Sequence, residues 1–224
     1  MKTLPISLVL AGISSSLVLM GGVNPVRAAV LIGNLPQTND DDITTLSAAN
    51  NGVKALAFTL PAGNNYSLDN AILRLGGYET GDAPLVQIRN DVGGSDPGST
   101  VLASFTNPTP QGVGVFNYTF TPTSPFTFAA GTKYWLYVIS TSGSFVWRGS
   151  SPGITPTGIA TSSGARVSDD SGASFSNSSI LNSFQINATE ITGPVASTPE
   201  PSAIAALSLF GLGLLGVKGR RNEG

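Results

Sequence analysis

From residue 53 onward, apolar and polar side chains alternate in short runs, the period of a strand with one buried face. Residues 54–60 place Leu56, Phe58 and Leu60 on one side, and 66–75 place Leu73 and Leu75 opposite Arg74. Val86 and Ile88 point inward in 85–90, with Gln87 and Arg89 outward. Val101, Ala103 and Phe105 share a face, as do Phe116, Tyr118 and Phe120. The strongest strand is 133–140, where Trp135, Tyr137 and Ile139 stand opposite Tyr134, Leu136 and Val138. Apolar residues on both faces predict a central strand covered on both sides. Residues 145–148 read as its hairpin partner after 141–144, and 165–168 and 183–188 complete the series, with Phe184 and Ile186 inward. A short strand is also expected over 30–35, whereas 36–51 and 150–164 read as surface connections.

Turn-forming residues separate these runs, as in 61–65 and the Gly-rich stretch 91–98. About nine to eleven short strands at this spacing, with no amphipathic helix between 30 and 190, predict an all-β domain. The expected architecture is an antiparallel β-sandwich with jelly-roll-like connections.

The ends of the chain follow a different pattern. Lys2 precedes an uncharged, mostly apolar stretch over residues 4–20, and Val26-Arg27-Ala28 places small residues at the −3 and −1 positions of a cleavage site. Residues 1–28 therefore read as a secretory signal peptide, rather than a retained N-terminal helix. The β-domain follows over 29–190 and a short linker over 191–198. In the closing segment, 199–224, Pro199-Glu200-Pro201 leads into an uncharged apolar run over 203–217, then Lys218, Arg220 and Arg221. A helix over about 202–217 would be short for the roughly 30 Å hydrocarbon core, yet it is uncharged throughout. The basic residues beyond it suit the cytoplasmic interface. The expectation is one C-terminal transmembrane helix, with the β-domain outside the cytoplasm.

Composition narrows the chemistry. The chain has no cysteine and no histidine, which excludes disulfides, thiolate zinc sites, and catalysis through Ser-His or Cys-His pairs. Between Val30 and Glu190 there are eleven acidic and six basic residues, a net charge of −5, which argues against nucleic acid as a partner.

Together, Pro199-Glu200-Pro201, the apolar run and the basic tail resemble the PEP-CTERM sorting signal of exported bacterial proteins, a segment also labelled an ice-binding protein C-terminal region. The resemblance implies an exosortase acting near Pro199-Glu200-Pro201; the signal peptide at the other end implies a signal peptidase. The middle of the chain resembles the choice-of-anchor R type of extracellular β-domain. That resemblance rests on Tyr66-Ser67-Leu68-Asp69, on the strand running into Gly93-Gly94 and Pro97-Gly98, and on residues 131–136. It implies a fold and an address but no catalytic residues.

Candidate chemistry in the middle is sparse. Glu79 with Asp82, and Asp91 with Asp96, are the carboxylate pairs a glycoside hydrolase would need. Loop carboxylates of this kind more simply solubilise the surface. Asp40-Asp41-Asp42 lacks the alternating ligand spacing of a calcium loop and reads as a solvated acidic turn. Among the aromatic residues Tyr66, Tyr78, Trp135, Tyr137 and Trp147, strand alternation assigns Trp135 and Tyr137 to the core. Trp147 with Arg148 is the candidate surface contact for a glycan. The expected function is that of a non-enzymatic exported protein of the cell surface or extracellular matrix, without a cofactor or metal. Its expected partners are the membrane, the processing enzymes and exopolysaccharide. The alternative is a carbohydrate-binding, less readily hydrolytic, module.

Overall fold

The computed structural model describes residues 28–191; the expected signal peptide apart from Ala28, most of the linker and the whole 199–224 segment lie outside the described residues. Among the described residues there are thirteen strands and no helix, so none long and apolar enough to cross a membrane. The strands are β1 (Ala28–Gly33), β2 (Asp42–Ser47), β3 (Val53–Thr59), β4 (Asn65–Tyr78), β5 (Ala83–Val92), β6 (Asp96–Thr106) and β7 (Gly112–Pro122). They continue as β8 (Thr127–Phe128), β9 (Lys133–Ser142), β10 (Ser144–Gly149), β11 (Thr161–Ser168), β12 (Ser176–Asn177) and β13 (Phe184–Ile191).

All pairings are antiparallel, and the strands form one open path, β1-β13-β4-β7-β6-β5-β9-β3-β11-β12. β4 is its spine. One edge of β4 pairs with β13 and then with β10, while the other takes β8 and then β7. The path turns at β6 and β7, which share only Phe105–Pro122 and Thr106–Thr121. Beyond that corner, β9 lies between β3 and β5, the central position its two-sided apolar sequence predicts.

One core cluster draws on both stretches of the path. Leu73, Tyr118, Phe120, Phe184 and Ile186 come from the β4 side, and Leu56, Phe58, Val86, Ile88, Leu136 and Val138 from the β9 side. Each large apolar side chain buried there contributes about 1.5–3 kcal/mol. A ring cluster of Phe58, Phe126, Phe128 and Tyr134 closes one end, with centroids 5.0–6.0 Å apart.

A second contact joins the two stretches. Residues 157–160 lie along β1, with Gly33 N donating to Thr157 O at 2.9 Å and Ala160 N to Leu31 O at 2.7 Å, before the chain enters β11. Gly158 makes the approach possible: a Cβ there would stand 2.6 Å from Leu31 O.

The structure departs from the sequence reading in four places. Residues 36–51 are not all surface wrap, because Asp42–Ser47 forms β2 beside β10. β10 is not the hairpin partner of β9; it leaves β9 and pairs with β2 and β4. β11 begins inside the stretch expected to be loop. Val101 is 43% exposed rather than inward, since a register shift between Ile88 and Arg89 turns it away from the core. At the domain boundaries, Ala28 pairs with Thr189 and Ile191 with Asn65, so both residues belong to the sheet.

Candidate functional site

Of the expected surface contact, Trp147 with Arg148, the ring is buried and the arginine is half-buried. Trp147 is 0% exposed, and its Nε1 donates to the Ser183 carbonyl at 2.9 Å. Its neighbour Asn182, also fully buried, donates to the Trp147 carbonyl at 2.7 Å. Arg148 lies across the backbone of β4 at Gly76, where a Cβ would stand 3.1 Å from its Nε. That Nε is buried without an acceptor, and Nη1 donates to Asp40 O at 3.2 Å. Tyr66, Tyr78, Trp135 and Tyr137 are at most 5% exposed, so none of the five candidate rings offers an open face.

Most of the candidate carboxylates are likewise occupied, Glu79 engaging only through its backbone N–H. Asp82 accepts from Glu79 N and Ser144 N, both at 2.8 Å, and so ties two turns together. Asp40 accepts from Arg74 Nε and Nη2 at 3.0 and 2.7 Å. This guanidinium holds the Asp40 carboxyl below the usual carboxylate range. Asp170 is held in the same direction by the hydroxyls of Ser168 and Ser174, both at 2.6 Å. Among the described residues no group of three acidic side chains is placed to hold a metal ion.

The most distinctive chemistry lies on the outer face of the β5-β9-β3-β11 region. Because Tyr134, Leu136 and Val138 point into the core, Lys133, Trp135 and Tyr137 point away from it. Small residues flank the two rings: Ala57 opposite Trp135 and Ala55 opposite Tyr137. Both rings are nevertheless only 1% exposed, because other parts of the chain cover them.

Arg89 Cζ lies 3.4 Å from the centroid of Tyr137, and Lys133 Nζ lies 4.9 Å from that of Trp135. The Tyr137 hydroxyl donates to Ser171 O at 3.2 Å, and Phe175 packs beside it. Burial pushes the Tyr137 phenol pKa up, with Arg89 opposing.

Over Trp135 sits the tip of the β5–β6 hairpin. Asp91 Oδ1 accepts from Trp135 Nε1 at 2.8 Å and lies 3.2 Å from Lys133 Nζ. Lys133 also donates to Gly94 O at 2.7 Å. Asp96 Oδ1 then accepts from Arg166 Nε at 2.8 Å. β9 and β3 lie between β5 and β11, so the Asp96–Arg166 contact requires the tip to arch over both of them. Two register shifts in the β5–β6 ladder permit the bend, and Gly93 and Gly94 take the positive φ of its turn. Arg166 also donates to Asn177 of β12, tying the hairpin to the second covering segment. Partly exposed ion pairs such as these are worth about 0.2–1 kcal/mol each, and the burial of the Trp135 ring adds to what holds the cover in place.

Beside the hairpin is a hollow of about 390 Å³, lined in part by Asn90, Asp91, Leu102, Thr132 and Lys133. Its size falls in the range of small-molecule sites, about 300–1,000 Å³. Sequence reasoning missed this assembly. Alternation put Lys133, Trp135 and Tyr137 on one face, but no local signal joins Asp96 to Arg166.

Comparison with protein families settles the C-terminal segment. Residues 197–222 match the PEP-CTERM protein-sorting motif. The motif implies export, processing by an exosortase, and association with the membrane or cell surface through sorting. The match covers the end of the chain only and does not extend into the β-domain. Comparison with curated proteins and with solved structures found no match, and nothing supports the ice-binding label or the choice-of-anchor R resemblance.

Proposed function

We propose that this is a non-enzymatic β-domain protein displayed outside the cytoplasm, with its C-terminal segment serving as the sorting handle. The observation that carries this reading is the PEP-CTERM match over 197–222, which begins just past Ile191, the last residue of β13. On this reading, the apolar helix over 202–217 holds the chain in the membrane, and Lys218, Arg220 and Arg221 stay on the cytoplasmic side. The exosortase acts near Pro199-Glu200-Pro201. The β-domain is a sandwich, a view supported by the larger core cluster, which draws on both stretches of the strand path. A non-enzymatic role is supported by the structural engagement of Asp82, Asp91 and Asp96.

The test is fractionation of the tagged full chain against a chain ending at residue 198. Full-length protein is expected in the membrane or surface fraction, and the truncated chain in the periplasm or medium. Identical partitioning of the two would sink the sorting reading.

A second reading, a glycan-binding module, is favoured by one observation: the face of Trp135 and Tyr137, flanked by Arg89, Lys133 and Arg166.

A further inference from the structure

We propose that the outer face of β9 is a lidded binding site for an acidic glycan, in which Asp91 and Asp96 of the β5–β6 hairpin occupy the places of uronate carboxylates. The proposal deepens the glycan-binding reading by naming the ligand's chemistry and the element that controls access.

Three observations carry it. The first is the floor: Trp135 stands beside Ala57 on the strand face turned away from the main core, next to Tyr137, which lies under Arg89 and against Phe175. Rings beside small neighbours give sugar rings a stacking surface. The second is the charge. The domain has six basic residues, and three of them, Arg89, Lys133 and Arg166, converge on this one face. Clustered cations raise the local concentration of an anionic ligand at a face of this kind.

The third is the identity of what meets them now. The cover presents carboxylates: Asp91 lies against Lys133 and the Trp135 Nε1–H, and Asp96 against Arg166. A hexuronate likewise carries a carboxylate, on a ring that can stack. When the tip lifts, Asp91 and Asp96 leave with it. The Trp135 ring then stands beside Lys133 and Arg166 with their carboxylates withdrawn, while Tyr137 stays beneath Arg89 and against Phe175. An uncharged sugar has nothing to offer these cations, which favours an acidic glycan over a neutral one. The domain's net charge of −5 disfavours a long, uniformly charged polyanion, so the fitting ligand is a short acidic stretch.

The test uses the full-length chain in detergent, with tri-galacturonate as probe and cellotriose as the uncharged control, read by isothermal titration. Asp96→Asn removes the charge that holds Arg166 to the lid, at a side chain that is 46% exposed. Tri-galacturonate is expected to bind this variant about fivefold more tightly than wild type, the factor that loss of one such ion pair from the closed state allows. Amide exchange over 92–98 should quicken in parallel, and cellotriose binding should not change. Adding Lys133→Gln to Asp96→Asn should undo the gain. Unaltered exchange or unaltered affinity in Asp96→Asn overturns the proposal, as does a matching gain for cellotriose. A single-stranded thymidine oligonucleotide bound as tightly as tri-galacturonate would overturn the glycan assignment. If Asp96→Asn does not fold, wild type is compared with Lys133→Gln, and equal affinities overturn the proposal. None of these results bears on sorting, which fractionation tests separately.

Discussion

Trp147 Nε1 donates to the Ser183 carbonyl, 2.9 Å away, where β4 exchanges one neighbour for another. Leu73 still pairs with Phe184 of β13, whereas Leu75 pairs with Trp147 of β10. Between them, Arg74 N donates to Ser183 O and Ser183 N to Arg148 O. The indole therefore fastens the seam between two strands that share one edge of the spine.

Substituting this ring should damage folding rather than ligand binding. Trp147→Phe leaves a buried carbonyl with one donor fewer and is expected to cost about 1–3 kcal/mol. Trp147→Ala adds a cavity and is expected to cost about 3–5 kcal/mol. Urea denaturation measures both. A Trp147→Ala protein with an unchanged midpoint would contradict the seam role.

Gly158 is expected to be intolerant of even one methyl group. A Cβ there would stand 2.6 Å from Leu31 O and 2.9 Å from Ile32 Cα, on a backbone with φ +151°. Gly158→Ala should cost about 2–4 kcal/mol from contact and backbone strain together. Gly63→Ala is the control. Gly63 also has a positive φ, +116°, but no atom within 4 Å of the added group, so its cost should stay near about 1 kcal/mol. Equal losses in thermal melts would remove the close-approach explanation.

Lys54 sets a pH dependence. It is 1% exposed, donates to Ile180 O at 2.8 Å and to the Ser178 hydroxyl, and burial lowers its pKa to about 8, with the Asp42 charge opposing. An unfolded lysine titrates near 10.4, so between about pH 8 and pH 10 the unfolded chain binds more protons than the folded one. Stability should therefore rise through that window, by on the order of 3 kcal/mol from this residue. Above about pH 10 the trend should reverse, because burial raises the pKa of Tyr78 and Tyr137 and the unfolded chain ionises its phenols first. Denaturation midpoints from pH 7 to 10 in wild type and Lys54→Met check this. A rise that persists in Lys54→Met assigns it to another group.

The Arg74–Asp40 pair acts at the acid end. Its depressed carboxyl pKa contributes stability that is present above about pH 4 and lost as pH falls through the folded value. Both side chains keep some solvent exposure, so Arg74→Gln should cost only about 0.5–1 kcal/mol at pH 7. The variant should also lose less stability than wild type on acidification below pH 4. Parallel acid curves for the two proteins would show that the pair contributes nothing there.

Much of the fold could be read directly from the chain. The inward sets Leu56 and Phe58, Val86 and Ile88, Tyr118 and Phe120, and Phe184 and Ile186 are all buried as alternation predicts. β2 escaped because Asp-Ile-Thr-Thr-Leu-Ser carries too few apolar residues to show a period. β10 was recognised as a strand but given the wrong neighbour, since a short link to β9 suggests a hairpin and the chain crosses to β4 instead. Trp147 was misplaced for a related reason: its alternation with Arg148 looks the same whether the indole meets solvent or Ser183.

The strand periods, the central place of β9, the acidic balance of the domain and the sorting motif at its end are all written in the order of residues along the chain. These are local properties, carried by neighbouring residues and legible without contacts. What covers each face follows from packing between segments distant in the chain. Asp96 and Arg166 are 70 residues apart and meet because the β5–β6 tip bends over two strands. Trp147 is buried because β10 closes against β4 and the Ser183 carbonyl. Alternation fixes the side of a strand on which a residue stands, whereas burial depends on which distant segment packs over that side.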